Sequence, residues 1–249
     1  MRTSALRACF AAAAIMACSG RALAQAPEPE PPPPDSLSGG SKPDYFLLYG
    51  GFDIWRFGRA GYGGFYAAPE GLDKDGFVVR LFVSDGRERY DLAAKRFNTD
   101  IVRVSLLPGW RVSEGSFELK VFAGPELENR SLTEVTSART SVAHLGARIA
   151  AETWWEPTPE LMLASSFSAT TNVNGWSTRA AAGWRLSNQF WAGPEILASG
   201  DTFNKQFRIG AHLTGLKLAA LEWSAAAGFV QDSFGRSGVY GRIGVLMRQ

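Results

Sequence analysis

Apolar and polar residues alternate along most of the chain after residue 43. In the segment 205–216 the odd-numbered positions from Phe207 to Leu213 are apolar, whereas the even-numbered positions from Gln206 to Thr214 are polar or glycine. An alternation with a period of two indicates a β-strand whose two faces meet different surroundings. The same pattern recurs in the segments 116–126, 142–155, 176–186 and 221–230.

Residues typical of turns separate these alternating segments. They are found at Asp73–Gly76, Asp85–Gly86, Glu114–Gly115, Pro157–Pro159, Asn174–Gly175 and Ser187–Asn188. Most of them tolerate a positive φ, as tight hairpins require. Longer loops are predicted near 87–99, 127–140 and 200–204. The pattern predicts an all-β, antiparallel, up-and-down barrel of about 12 strands (range 10–14), formed by a single domain over 44–249.

Whether the apolar face of this barrel meets lipid or a protein core is a separate question. In a membrane barrel the apolar face meets lipid and the polar face fills the lumen. Tryptophans near the predicted strand ends suit an interfacial girdle, and they are Trp55, Trp110, Trp154, Trp155, Trp176, Trp184, Trp191 and Trp223. We therefore predict a transmembrane barrel of the outer membrane, whose partner is lipid. A soluble periplasmic sandwich or lipocalin-like barrel is the alternative.

The first 24 residues have the three parts of a secretory signal peptide. Arg2 and Arg7 precede the apolar run 8–17, which is too short to span a bilayer as a helix. A small-residue motif then predicts cleavage between Ala24 and Gln25. The residues 25–43 are rich in Pro, Ser and Gly, and they are predicted to form a disordered linker.

A second interpretation of the N-terminus is a lipoprotein box at Ile15–Cys18, in which Cys18 would be acylated. Met16 suits such a box poorly, so ordinary cleavage after Ala24 is preferred. Both cysteines of the chain, Cys9 and Cys18, are lost in that case. The mature protein then has no disulfide and no cysteine-ligated metal.

Removal of the signal peptide also changes the charge. The full chain has 26 Lys and Arg against 24 Asp and Glu, and three arginines leave with the signal, so the mature chain carries a net charge of −1. Such a chain lacks the basic surplus of a nucleic-acid-binding protein. No nucleic-acid partner is therefore predicted.

The polar face of the predicted strands carries many charged residues. They are Asp53, Arg80, Arg111, Glu118, Lys120, Glu126, Arg148, Glu152, Arg179, Arg185, Glu195, Arg208, Glu222 and Arg242. Arginine can bridge carboxylates on neighbouring strands, so we predict a charge network that fills and closes the lumen. The alternative is a polar track for a carbohydrate, with Tyr45, Tyr49, Trp55 and Tyr240 stacking on sugar rings.

Catalytic chemistry finds little support in the sequence. His144 and His212 are the only histidines, and no nucleophile-elbow motif surrounds the available serines Ser141, Ser165, Ser166 and Ser224. A glycosidase could use two of Glu118, Glu126, Glu152, Glu195 and Glu222. Each of these has an arginine on its own face or on a neighbouring strand, which keeps it ionised and unsuited to act as a general acid. We predict no enzyme activity, no cofactor and no metal site.

An ordered series of short motifs resembles one known family. The motifs are Tyr49–Trp55, Pro108–Arg111, Phe122–Glu126, Trp155–Pro159, Ala182–Arg185, Trp191–Glu195, Arg208–His212 and Ser237–Arg242. Together they resemble the bacterial cellulose biosynthesis protein BcsS family over essentially all of 44–249. The resemblance implies an outer-membrane barrel that accompanies the cellulose synthase components, and it transfers no catalytic residue.

These observations predict a non-catalytic outer-membrane barrel that is an accessory of bacterial cellulose biosynthesis or export. Its candidate partners besides lipid are cellulose and other cellulose-synthesis components. Three alternatives remain from the residues themselves. They are a narrow porin-like channel, a soluble periplasmic glucan-binding barrel and a lipid-modifying enzyme.

Overall fold

A computed structural model describes residues 44–92, 95–134, 140–186 and 190–249. The strands are β1 (Phe46–Trp55), β2 (Gly58–Ala67), β3 (Gly76–Leu92), β4 (Lys95–Glu114), β5 (Phe117–Glu134), β6 (Thr140–Thr158), β7 (Leu161–Thr170), β8 (Trp176–Leu186), β9 (Phe190–Gly200), β10 (Lys205–Leu218), β11 (Leu221–Asp232) and β12 (Ser237–Arg248). A 3₁₀ turn at Asn172–Asn174 precedes β8.

Several predicted features lie outside these described residues. They are the signal peptide 1–24 with its cleavage site at Ala24 and Gln25, the linker 25–43, Cys18 and the turn at Ser187–Asn188. Among the described residues, no helix is both long enough and apolar enough to pass through a membrane.

Each strand pairs with the next along the chain in an antiparallel register. The sheet closes where β1 pairs with β12, with Phe52 opposite Ile243 and Trp55 opposite Tyr240. The predicted all-β, up-and-down barrel of about 12 strands is confirmed. A closed sheet leaves no strand with unpaired backbone groups at an edge.

The outer surface of the barrel is apolar. Along β4, Val102, Val104 and Leu106 point outward, whereas Ser105 and Leu107, which alternate with them, are buried. Leu145 on β6 is 79% exposed, and large aliphatic and aromatic side chains are exposed on most other strands. A soluble monomer rarely exposes a continuous apolar surface of this extent. The surface therefore suits contact with lipid.

Aromatic side chains line one end of the barrel from β1 to β8. We call this end, at which β1 begins and β12 finishes, the terminal end, and the opposite end the loop end. The outward aromatic residues at the terminal end are Phe46, Phe77, Trp110, Phe117, Trp155 and Trp184. This arrangement is typical of the interfacial girdle of a membrane barrel.

Three tryptophans do not belong to an outer girdle, contrary to the expectation from sequence. Trp55 and Trp191 are only 5% and 7% exposed, and Trp154 makes an edge-to-face contact with Trp191, with 6.5 Å between the ring centroids. Position near a strand end does not decide which face a residue occupies. That choice follows from the strand register, because adjacent residues point to opposite faces.

Two of the three predicted long loops are wrong. Residues 87–92 and 95–99 extend β3 and β4, and residues 127–134 extend β5. The turn predicted at Asp85–Gly86 lies within β3. The apolar pattern fades in these segments because they lie beyond the apolar belt, but backbone pairing continues without it. The segment 201–204 does connect β9 to β10, as predicted.

Glycine permits a close approach of two strands near the terminal end. A Cβ at Gly193 would lie 2.1 Å from the main-chain oxygen of Ala182 on β8. A Cβ at Gly183 would lie 3.1 Å from the Cβ of Trp191 and 3.4 Å from the ring of His212. The absence of side chains at these positions makes room for the imidazole inside the barrel.

We expect Gly193→Ala to lower the free energy of unfolding by about 1–3 kcal/mol, because the new methyl group would overlap a main-chain oxygen. Gly61→Ala is the matched control, since a Cβ at Gly61 meets no atom within 4 Å. Its effect should stay within about 0.5 kcal/mol. Urea unfolding of the refolded protein, monitored by loss of the compact band on unboiled gels, measures both. Equal midpoints for the two variants would contradict this account of Gly193.

Candidate functional site in the barrel lumen

The lumen contains a polar cavity of about 570 Å³. A second cavity of about 290 Å³ lies nearer the loop end. Both are lined by the same five inward-facing residues, which are Arg148, Ser168, Ser177, Ser199 and Arg208. The two cavities are therefore successive sections of one lumen. Arginine and serine side chains dominate the shared section.

The Glu195 carboxylate organises one side of the lumen. It is only 1% exposed and accepts hydrogen bonds from Arg179 Nε at 2.8 Å, Arg242 Nη2 at 2.6 Å and the Tyr240 hydroxyl at 2.9 Å. Arg179 comes from the neighbouring strand β8, whereas Arg242 and Tyr240 reach across from β12. Two guanidinium groups on one buried carboxylate satisfy its charge and its lone pairs together.

The Glu152 carboxylate has an equivalent position on the other side. It accepts hydrogen bonds from Arg80 Nη1 at 2.7 Å and from the Tyr66 hydroxyl at 2.9 Å. Arg80 Nε also donates to the Tyr49 hydroxyl at 3.0 Å, and its guanidinium lies over the Tyr66 and Phe122 rings. These contacts connect β1, β2, β3 and β6 through the interior of the barrel.

Further ion pairs continue this network. Arg148 Nη1 lies 2.6 Å from Glu126 Oε2, and Arg208 Nη1 lies 2.7 Å from Asp53 Oδ2. Ser105 donates a further hydrogen bond to Glu126 at 3.0 Å.

Nearer the terminal end, a separate group of charges forms around Glu118. Arg111 Nη2 lies 2.8 Å from Glu118 Oε2, and Lys120 pairs with the other oxygen of the same carboxylate.

Two of the charged residues that the sequence predicted for the lumen network, Arg185 and Glu222, differ from the others in their contacts. Arg185 pairs with Glu156, which was not predicted, at 3.1 Å, and both side chains are about one-third exposed. Glu222 lines the larger cavity, and within the described part of the chain it has no ion-pair partner. The other twelve named residues all take part in the ion pairs described above.

Sequence reasoning missed a layer of charges at the loop end. Glu128 is fully buried and lies 2.7 Å from Arg103 Nε and 3.1 Å from Arg130 Nε. Arg130 Nη2 also lies 2.6 Å from Asp201 in the β9–β10 connection. Glu128 and Arg130 were assigned to a loop. Continuing the alternation of β5 beyond Leu127 would have placed both on the inner face.

A contact across the barrel completes this layer. Glu88 on β3 accepts hydrogen bonds from Asn204 Nδ2 at 3.2 Å and from Gln206 Nε2 at 2.8 Å. The β9–β10 connection therefore lies over the loop end of the lumen. It is held there by side chains from β3 and β5.

Apolar side chains fill the lumen at the terminal end of β2 to β6. Tyr66, Val78, Leu107 and Phe122 form a buried cluster with two alanines. Leu107 is completely buried. The larger cavity lies beside this cluster and extends toward the terminal end along β10–β12, where Thr214, Glu222 and Leu246 line it, whereas the charged layer lies at the loop end.

The four aromatic residues proposed for a carbohydrate track lie apart. Tyr49 lines the larger cavity, where its hydroxyl donates to the Leu81 oxygen at 3.2 Å. Trp55 and Tyr240 are buried together in a different cluster, and Tyr45 is exposed near the terminal end. The structure therefore brings only one of the four to the cavity wall.

The histidines occupy ordinary structural positions. The His212 nitrogens lie 3.1 Å from the Ala182 oxygen and 3.2 Å from Thr214 Oγ1. His144 is half-buried on β6, opposite Glu128 in the register. Across residues 44–249, apart from the gaps given above, no three His, Cys, Asp or Glu residues form a cluster that could hold a metal.

A comparison with protein families shows which family this chain belongs to. The family model described as cellulose biosynthesis protein BcsS matches residues 47–249, from β1 to the end of β12. The chain belongs to the BcsS family. The match covers the whole barrel, including every lumen residue named above. Among curated proteins, none matches the sequence at a significant level.

Solved structures resemble this BcsS-family barrel in fold alone. The translocator domain of the autotransporter NalP from Neisseria meningitidis is 14% identical, with 86% of this chain and 91% of that chain covered and a TM-score of 0.54. The transport unit of the autotransporter AIDA-I from Escherichia coli is 13% identical, with 86% and 92% covered and a TM-score of 0.50. The fold is that of an outer-membrane β-barrel.

We expect Glu195→Gln to lower the free energy of unfolding by about 3 kcal/mol, because it leaves Arg179 and Arg242 without their shared anion inside the lumen. The matched control is Glu156→Gln, which removes a pair that is about one-third exposed and should change stability by less than about 1 kcal/mol. Urea unfolding in detergent micelles compares the two. A loss for Glu195→Gln no larger than that of the control would show that the Glu195 cluster is energetically unimportant.

Proposed function

We propose that this protein is a non-catalytic outer-membrane barrel that assists cellulose biosynthesis or export. The observation that carries the proposal is the match of the cellulose biosynthesis family over the complete twelve-strand barrel. The outward apolar surface and the aromatic residues at the terminal end support a location in a membrane. In this proposal residues 1–24 direct export, and residues 25–43 separate the cleavage site from the barrel.

A non-catalytic role is supported by the state of the candidate catalytic groups. Glu118, Glu126, Glu152 and Glu195 each accept at least one ion-paired hydrogen bond from a basic side chain. A carboxylate held in this way is a poor proton donor. Both nitrogens of His212 already have partners that are not serine. The charge network is better suited to holding the strands together.

The packing at both ends of the lumen supports an accessory role over a conduit for a glucan chain. The apolar cluster around Leu107 and Phe122 narrows the terminal end, and Arg130, Asp201 and Glu88 contribute to the charged layer at the loop end. A polymer would have to pass beside the apolar cluster and displace the charged layer. We infer that the barrel acts through its outer surface and its loop end, next to the components that export or deposit cellulose.

Deletion of the gene from the native host tests the functional proposal. We expect less cellulose on the cell surface, since the export or deposition step loses an accessory. Complementation by the wild-type gene should restore it, and so should Glu222→Gln, because Glu222 has no ion-pair partner to lose within the described residues. Cellulose staining and acid-hydrolysed glucose measure the outcome. Unchanged cellulose in the deletion strain would exclude a role in its biosynthesis.

Cysteine labelling on intact cells tests the location and the orientation. Cysteine is absent from the sequence after residue 18, so a single introduced thiol is specific. Ser233→Cys lies at the loop end and Lys74→Cys at the terminal end, and both positions are exposed. A membrane-impermeant maleimide should label Ser233→Cys on intact cells and Lys74→Cys only after the outer membrane is disrupted. Recovery of the protein in the soluble periplasm would instead indicate the glucan-binding barrel.

A narrow channel is a second candidate function, favoured by the two adjoining polar cavities in the lumen. Small ions need far less room than a glucan chain, and arginine-lined pores favour anions. Single-channel recordings of the purified barrel in planar bilayers distinguish the two functions. Stable unitary currents would indicate a channel, whereas their absence would leave the accessory role.

A further inference from the structure

The outer surface of the barrel changes from apolar to basic at the loop end of β1–β3. Four arginines meet there, and we call Arg56, Arg59, Arg87 and Arg89 the arginine patch. Arg59 on β2 and Arg87 on β3 are direct partners in the register. Arg89 Nη2 donates to the Arg56 main-chain oxygen at 3.2 Å. The four side chains therefore share one area of the surface.

The carboxylates nearby do not balance this charge. Arg87 Nε lies 2.5 Å from Asp100 Oδ1, and Asp85 is exposed two positions earlier on β3. Within the described residues, no carboxylate lies at ion-pair distance from Arg56, Arg59 or Arg89. Like charges directly opposite one another on a sheet repel. An external anion would relieve the repulsion between Arg59 and Arg87.

The depth of the arginine patch follows from the length of a membrane-spanning strand. About 9–11 residues of a tilted strand cross the hydrocarbon layer. Phe46 and Phe77 belong to the aromatic girdle at the terminal end. Ten positions later come Arg56, in the turn that follows β1, and Arg87 on β3. The patch therefore lies at the level of the lipid headgroups on the opposite side of the membrane.

A cavity of about 370 Å³ lies within the arginine patch. Its wall combines all four arginines with the apolar residues Ile54, Trp55 and Phe57. Ile54 is exposed on the outer surface, where it continues the lipid-facing belt. A site with a basic rim and an apolar wall fits an amphipathic anion better than a free inorganic anion. The arginines can bind the charged group, and the apolar wall can contact the hydrocarbon part.

The loop end faces the cell exterior in the proposed orientation. The described connections at the loop end include 171–175, 201–204 and 233–236, whereas the connections 115–116, 159–160 and 219–220 at the terminal end have two residues each and only 68–75 is longer there. Outer-membrane barrels have short periplasmic turns and longer extracellular loops. The arginine patch would then meet the outer leaflet.

We propose that the arginine patch binds an anionic, phosphate-bearing lipid headgroup in the outer leaflet of the outer membrane. The proposal rests on the membrane location proposed above, but not on a role in cellulose synthesis. Guanidinium groups bind phosphate oxygens through paired hydrogen bonds. Three arginines without a carboxylate partner would hold the phosphate, while the acyl chains follow the apolar belt below it.

Native mass spectrometry of the purified barrel in detergent tests this site with diphosphoryl lipid A and phosphatidylcholine as probes. The wild type should bind lipid A in preference to phosphatidylcholine. The triple variant Arg56→Gln/Arg59→Gln/Arg89→Gln should bind lipid A roughly 100-fold more weakly, since each basic residue near an anionic surface contributes about five-fold. The corresponding Arg→Lys triple variant keeps the charge but loses the paired hydrogen bonds, and it should bind with an affinity between those of the wild type and the Gln variant.

The matched control is Lys74→Gln/Lys217→Gln/Arg248→Gln, which removes the same charge from exposed positions at the terminal end. It should bind lipid A as the wild type does. A compact band on unboiled gels establishes that each variant is folded. Equal lipid A affinity in the two Gln triple variants would overturn the proposal, as would equal affinity of the wild type for both lipids. Complete displacement of lipid A by inorganic pyrophosphate would also overturn it, by identifying a site for small anions.

This test is independent of the cellulose measurement. Binding is observed on the purified barrel, so an unchanged cellulose level in the deletion strain would leave the lipid result standing. Exclusive recovery of the protein from the soluble periplasm would instead remove the membrane location, and with it the lipid site.

Discussion

The pairing of β1 with β12 is the contact on which the rest of the structure depends. In the hydrocarbon layer an unpaired backbone amide or carbonyl costs several kcal/mol, because no water is present to satisfy it. The ladder from Leu47 and Arg248 to Trp55 and Tyr240 removes the two edges that an open sheet would expose. Closure in turn separates the side chains into an inner set, which points into the lumen, and an outer set, which points away from it. The charge network and the apolar belt both follow from that separation.

The inner side chains include many charged groups, and these need partners of opposite charge within a confined space. Three carboxylates in the lumen, Asp53, Glu152 and Glu195, receive an arginine from a strand that is not their neighbour. Such contacts hold the circumference together in addition to the backbone ladder. They also occupy the space that an open channel would need. This is the physical reason for preferring an accessory role to a conduit.

The outer set joins the barrel to its surroundings. Its apolar belt begins at the aromatic girdle of the terminal end and stops at the arginine patch, about one membrane thickness away. Inside the barrel each arginine is supplied with a carboxylate, whereas Arg56, Arg59 and Arg89 on the outside lack one within the described residues. The contrast indicates that the outer arginines meet charge supplied by the membrane. The two sets of arginines have the same chemistry, but the inner set binds carboxylates of the protein and the outer set faces the membrane.

The alternation of residue types by itself determined the fold class, the approximate number of strands and the faces of most residues. Phe207 and Arg208 are an example, because side chains on a strand alternate whatever the rest of the chain does. The family resemblance was also apparent from the order of the motifs. Strand ends were less predictable, since Glu128 and Arg130 lie where lipid contact has stopped but pairing continues.

Only the tertiary structure decided which charges meet. Register and barrel closure bring Asp53 to Arg208 across 155 positions of sequence, whereas Glu222 on the same face receives no partner within the described residues. The arginine patch could not be predicted from the sequence either, because Arg59 and Arg87 become neighbours only through the pairing of β2 with β3. Local alternation fixes the face of a residue, but the partners on that face depend on how strands distant in sequence are aligned.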